Sequence, residues 1–220
     1  MSTFWTFASS YPSYKKYTSE FIVKKLFENS TDKTLYNDMK KGMHINTCAI
    51  RVSIALNEIK EINLKKANIG MSGTSVGLPF YEKLPNNKRG LYEYIIRVTT
   101  MLKYLKKICG NPSYSTIKNN KENVQKFNNY INGKRGIVLL KSDGSGGFTG
   151  HVDVWTGNSF LGNNYLESGW VIERYFWEES FLFKYMNFIT KRDSIIEFSF
   201  TQDSKNKMDK NTNLKTIHNG

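Results

Sequence analysis

No apolar run among the 220 residues approaches the roughly 20 that a membrane-spanning helix needs, so stable insertion into a bilayer is not expected. The amino terminus, Met1-Ser2-Thr3-Phe4-Trp5-Thr6-Phe7, lacks the charged start and continuous apolar core of a secretory signal. A protein of this kind made in the cytoplasm and working outside it would need a route other than general secretion. Cysteine is scarce: Cys48 and Cys109 are the whole complement, too few to imply a disulfide framework, and no CxxC or His/Cys cluster is present to hold zinc. Acidic side chains are outnumbered, 19 Asp and Glu against 32 Lys and Arg, for a formal net charge of +13. That balance attracts polyanions such as nucleic acid, anionic lipid or an acidic wall polymer. No DNA- or RNA-binding motif accompanies it, and the lysines are scattered in pairs such as Lys15-Lys16 and Lys106-Lys107, as on a solvated surface.

What is present has the size of one domain with a sizeable core. Residues 1–201 are read as that domain and 202–220, polar and nearly free of large apolar side chains, as a disordered tail. Pro12-Ser13 reads as a helix start, with Tyr17, Phe21, Ile22 and Phe27 giving an amphipathic helix to about Glu28. A basic connection containing Leu35, Tyr36 and Met39 follows. Lys65 to Arg89, rich in Gly, Ser, Pro and Asn, is expected to be a long loop that could border a cleft. Leu91 to Cys109 reads as one helix on the spacing of Leu91, Tyr94, Ile95, Val98, Leu102 and Leu105, stopped by Gly110. Residues 113–133 are polar with a short helix expected around Glu122 to Tyr130. Gly136 to Leu140 and His151 to Trp155 form two strands of a hairpin around a glycine-rich turn, and a last strand is expected near Ser194 to Phe200.

The chemistry-bearing stretch is Asn46-Thr47-Cys48-Ala49-Ile50-Arg51-Val52. Asn46 is a good N-cap, and Ala49, Val52, Leu56 and Ile59 recur at helical spacing, so a helix opens at Asn46 or Thr47 with Cys48 in its first turn. Unpaired N–H groups and the positive end of the helix dipole favour a thiolate there. A free cysteine is otherwise a small core hydrophobe, and the second segment decides between these readings. Of three histidines, His44 crowds the cysteine and His218 lies in the tail, which leaves His151 in Gly150-His151-Val152-Asp153-Val154-Trp155. Strand alternation puts His151, Asp153 and Trp155 on one face, which should look into a cleft, with Val152 and Val154 on the other. A cysteine followed about a hundred residues later by a histidine is the order of a papain-like thiol hydrolase.

Three blocks, taken in order, resemble the fourth family of type VI secretion amidase effectors, of the NlpC-like papain-fold class. They are the cysteine block through Leu56-Asn57; Tyr94 to Val98 with Met101-Leu102, Tyr104-Leu105 and Gly110-Asn111-Pro112; and Gly133 to Val138 with Gly150 to Gly157. The resemblance implies an α+β fold with the cysteine helix packed on a small antiparallel sheet. It also implies an enzyme that cuts peptidoglycan peptide stems between D-glutamate and the following diamino acid, with Cys48 as nucleophile, His151 as base and no cofactor or metal. The resemblance further implies delivery by a specialised secretion apparatus to the periplasm of a target cell, and a neutralising immunity protein in the producer. Backbone N–H groups at the start of the cysteine helix are expected to hold the oxyanion. The family places an acidic residue about eleven positions beyond the histidine to orient it, where this chain reads Leu161-Gly162-Asn163-Asn164. Either Asn163 or Asp153 takes that role, with Asp153 preferred for its charge. Tyr92, Trp155 and Trp170 are candidates to line the cleft. The rival readings are another thiol hydrolase acting on ordinary peptides, and a basic binding module in which Cys48 and His151 are incidental.

Overall fold

The structure, a computed structural model, describes residues 3–59, 64, 73–81, 92–144, 149–180 and 182. The last expected strand, near Ser194 to Phe200, and the tail from Gln202 lie outside them. Two short helices open the chain, α1 (Thr3–Ser9) and α2 (Ser19–Phe27). The second starts at Ser19 rather than near Ser13, because Thr18 is the residue whose hydroxyl accepts the Phe21 N–H and caps the helix. The basic connection contains a further helix, α3 (Thr34–Lys40), whose first N–H donates to the Asp32 carboxylate.

The cysteine helix is α4 (Cys48–Asn57), and every residue from Cys48 to Leu56 is buried. Full burial of each large aliphatic side chain contributes about 1.5–3 kcal/mol, so α4 is gripped from all sides and holds its first residue in a fixed place. Two sequence expectations give way next. The glycine-rich stretch, of which 73–81 are described and the rest lies outside the described residues, carries a strand, β1 (Thr74–Gly77), and the start of the supposed long helix is its partner, β2 (Tyr92–Ile95). Tyr92-Glu93-Tyr94-Ile95 is rich in strand formers, and the helical spacing of Tyr94 and Ile95 is shared by too few residues to outweigh pairing with β1. The Ile95 N–H donates to the Ser53 hydroxyl, tying β2 to α4. After an extended Arg97 the true helix, α5 (Val98–Cys109), buries Met101, Tyr104, Leu105 and Ile108 and stops at Gly110, which has φ 76°.

A short strand in the polar stretch, β3 (Tyr114–Ile117), precedes α6 (Lys121–Ile131), which Asn120 caps through the Asn123 N–H. The hairpin strands are β4 (Gly136–Ser142) and β5 (Gly150–Trp155), and the aromatic stretch supplies β6 (Val171–Glu178). These form an antiparallel sheet of order β3-β6-β4-β5, beside the two-stranded β1-β2 sheet. The result is a mixed α/β fold with small antiparallel sheets. One face of the larger sheet, with Ile137, Leu139, Val152 and Val154, packs in the cluster that contains Cys48, Val52 and Met101. The other, with Val138, Leu140, Trp155 and Phe176, is covered by Phe127 and Ile131 of α6. No described helix is long and apolar enough to cross a membrane.

Candidate active site

Cys48 is the first residue of α4, and its backbone N–H donates to Asn46 Oδ1 at 3.1 Å. Thr47, the capping residue, makes no side-chain cap bond; its hydroxyl instead accepts from Arg51 Nε at 3.1 Å and bonds Ser19 Oγ at 2.9 Å. Arg51, the one charge between Cys48 and Leu56, is fully buried. Its Nη1 donates to the Pro12 carbonyl at 2.6 Å, its Nη2 to that of Tyr17 at 2.8 Å, and the guanidinium lies 3.7 Å over the Tyr14 ring. The arginine therefore straps residues 12–17 onto the helix beside the cysteine. Arg51→Met should leave two strapped carbonyls without donors and cost about 2–4 kcal/mol. A shifted denaturation midpoint with faster amide exchange in residues 10–17 is the expected reading, and an unchanged midpoint would disprove the strap.

From β5, His151 and Asp153 meet the cysteine. His151 Nε2 lies 3.2 Å from Asp153 Oδ2, while Asp153 Oδ1 accepts the Val154 N–H at 2.7 Å. The imidazole is also within hydrogen-bonding reach of the Cys48 thiol. Burial works against its charged form, but hydrogen bonds to Asp153 and Cys48 and their negative charge prevail, so its pKa is pushed up to about 9. The face expected to open into a cleft is closed: His151 is 3 % and Asp153 0 % exposed. The chain after β5 folds back to cover it. Leu161 N–H donates to the Val154 carbonyl, and the Tyr165 ring stands edge-on to the imidazole at 4.8 Å.

Position 162, eleven beyond the histidine, is a glycine for a visible reason. A Cβ there would fall 2.2 Å from Asp153 Oδ2 and 2.7 Å from Tyr14 Cε2, so the Asp153 carboxylate and the Tyr14 ring occupy the space that a side chain would need. Asn163 is exposed on this loop. The structure thus brings Cys48, His151 and Asp153 together and leaves Asn163 outside the cluster. Of the proposed lining aromatics, Trp155 packs in the α6 cluster and Tyr92 against the cluster of α2, whereas Trp170 packs on Tyr165 at 5.6 Å. Three residues at the site escaped the sequence reading: Tyr11, Tyr14 and Arg51. The only sign of them in the sequence is a lone charge on a helix whose remaining positions are apolar or small. Cys109 is free and buried, its thiol pushed up to about 12 by that burial. Among the described residues no group of three or more His, Cys, Asp or Glu could hold a metal ion.

A cysteine at a helix start, a histidine on a neighbouring strand and a carboxylate behind it form a constellation suited to acyl transfer. The family model described as type VI secretion system (T6SS), amidase effector protein 4 (Tae4), matches residues 44–196, and the chain belongs to this family. Among solved structures, Tae4 from Enterobacter cloacae is 20% identical with a TM-score of 0.52, covering 80% of this chain and 92% of that one. The Tae4–Tai4 effector–immunity complex from Enterobacter cloacae is 21% identical with a TM-score of 0.51, covering 80% of this chain and 94% of that one. The corresponding complex from Salmonella Typhimurium is 22% identical with a TM-score of 0.48, again over 80% and 94%. At such identities the likeness is one of fold. No curated relative matches the chain.

Proposed function

We propose that the chain is a thiol amidase of NlpC-like, papain-type architecture that cuts peptidoglycan peptide stems between D-glutamate and the following diamino acid. The observation that carries this reading is the junction of Cys48, at the start of α4, with a His151 whose Nε2 lies 3.2 Å from Asp153. Nε2 is committed to Asp153, which leaves Nδ1 for the thiol. His151 has taken the thiol proton before substrate arrives, which leaves an imidazolium beside the Cys48 sulfur, and the sulfur adds to the amide carbon as the carbonyl electron pair moves onto oxygen. Collapse breaks the C–N bond, and the imidazolium delivers its proton to the departing amine. Water, deprotonated by His151, then hydrolyses the thioester and frees Cys48. Asp153 holds the ring in the productive tautomer and balances the imidazolium.

Family membership supports the substrate and the setting. A wall-cutting effector of this family finds its substrate after delivery by the type VI apparatus into the periplasm of another cell. The net charge of +13 would hold it near anionic envelope polymers there, through contacts that weaken as salt rises. Relatives solved with Tai4 immunity proteins support a cognate immunity partner in the producer. The test combines two measurements. Purified muropeptides incubated with the protein should yield products whose masses place the cut after D-glutamate. In a diaminopimelate-containing host, cytoplasmic expression should be tolerated, and export should cause lysis that depends on Cys48. Lysis by the unexported chain, or by exported Cys48→Ala, would point to a membrane or nucleic-acid target instead.

A further inference from the structure

An acyl group carried on Cys48 Sγ places its carbonyl oxygen nearest to the Cys48 backbone N–H, yet that N–H already donates to Asn46 Oδ1 at 3.1 Å. The helix start expected to hold the oxyanion therefore has its closest donor occupied, and the charge that develops there needs another. Two phenols from the segment strapped down by Arg51 border the site. Tyr11 is 5 % exposed and shares the cluster of Cys48, and its buried hydroxyl lies next to both the Asp153 carboxylate and the Tyr14 phenol without a bond of good geometry to either. An unpaired buried hydroxyl costs about 1–3 kcal/mol, and groups of this kind persist where chemistry or a ligand completes them. Tyr14 is half-buried, with its ring edge against Gly162 beside the Asp153 carboxylate and its face under Arg51. Burial raises both phenol pKa values well above the ordinary range, and the nearby negative charge of Asp153 and Cys48 adds to this. Both are therefore neutral O–H donors at any pH at which His151 is charged.

We propose that Tyr14 is a catalytic residue whose O–H donates to the carbonyl oxygen of the scissile amide and holds the oxyanion formed when the Cys48 sulfur adds to the carbonyl carbon. Tyr11 is a positioning residue whose O–H donates to the Tyr14 oxygen from behind. No proton leaves Tyr14: the C–S bond forms, the carbonyl pair moves to oxygen under the phenol, and the pair returns as the C–N bond breaks. A donor that itself accepts a hydrogen bond is strengthened by polarisation along the chain, and the Arg51 cation over the ring acts in the same direction. This assignment rests on the thiol-amidase reading. It places the oxyanion donor upstream of residue 44, where the family match begins.

The experiment measures muropeptide hydrolysis and, in parallel, the rate at which iodoacetamide alkylates Cys48. Tyr14→Phe keeps the ring under Arg51 and should lower kcat by about 10²–10³ with KM within about threefold, the loss seen for other single oxyanion donors. Alkylation, which has no oxyanion, should stay within about twofold. Tyr11→Phe should cost less, about tenfold in kcat, through a weakened Tyr14 donor. A Tyr14→Phe enzyme with kcat near that of the unmodified chain overturns the proposal, and so does a drop in alkylation that parallels the drop in kcat, since the phenol would then act on the thiol. Should Tyr14→Phe fail to fold, 3-fluorotyrosine at position 14 should change kcat at constant alkylation rate, and an unchanged kcat overturns the assignment. Hydrolysis retained by Cys48→Ala would defeat the thiol reading itself, whereas an inactive Cys48→Ala beside a fully active Tyr14→Phe removes only the phenol.

Discussion

Cys48→Ala should lower muropeptide turnover by about 10⁶ in kcat, and His151→Ala should do nearly as much, while the double variant should lose little more than either alone. The non-additivity is the informative part. A thiol without its base and a base without its thiol are equally unable to start the attack, so the second deletion removes nothing further. Neither variant should unfold the protein. Cys48 sits at the end of a helix whose other apolar side chains hold it in place, and replacing a thiol by a methyl group at a site 1 % exposed leaves only a small gap. A melting curve close to that of the unmodified chain for Cys48→Ala, a lower but still cooperative one for His151→Ala, which leaves the buried Asp153 without its partner, and mass-spectrometric counts of muropeptide products check both halves. Turnover retained by Cys48→Ala would end the nucleophile assignment, and additive losses would mean that the two side chains act in separate steps.

The elements legible in the sequence are those whose own periodicity fixes them. The α4 pattern shows in the spacing of Ala49, Val52 and Leu56, and the β4–β5 hairpin in two apolar runs around a glycine-rich turn. Strand alternation alone puts His151 and Asp153 on one face, and the structure has them 3.2 Å apart. What escaped depends on partners far along the chain. Tyr94 and Ile95, the two buried positions of Tyr92 to Ile95, fall on helical spacing with Leu91 and Val98 in the sequence, and only pairing with Thr74 to Gly77 makes the segment a strand. The polar stretch around Ser115 becomes β3 because β6 offers it an edge. The closed face over His151 was equally invisible, since it is made by Tyr165 on a loop with no pattern of its own. Tyr11 and Tyr14 reach the site through Arg51, 37 residues beyond the nearer of them, and a single arginine gives no register for such a contact. Tertiary hydrogen bonds and cation–aromatic contacts leave no period in a sequence, which is why the supporting residues of the site are less legible than its nucleophile.

Asp153→Asn should cost about 10⁴ in kcat, because an amide leaves the imidazole in the wrong tautomer and removes the charge that stabilises the imidazolium, whereas Asn163→Ala should cost little. The pH profile adds a second readout with a definite sign. In the folded protein His151 has its pKa pushed up to about 9, with burial opposing the shift and the Asp153 and Cys48 hydrogen bonds and charges producing it. The unfolded chain binds that proton with a pKa of about 6.5. The contribution of this group to stability is therefore complete below about 6.5 and is lost as the pH rises toward 9. Turnover should follow the same proton, with an alkaline limb near 9 where the charged imidazole disappears. Asp153→Asn deletes the carboxylate that raises the pKa, so both the limb and the decline in melting temperature should move to lower pH, while Asn163→Ala should leave them in place. Gly162→Ala should give part of the same loss at unchanged charge, since its Cβ would lie 2.2 Å from Asp153 Oδ2 and force the carboxylate off the imidazole. If Asn163→Ala instead proves the damaging change and Asp153→Asn a mild one, the orienting role belongs to the loop after β5 and Asp153 is merely a neighbour of the histidine.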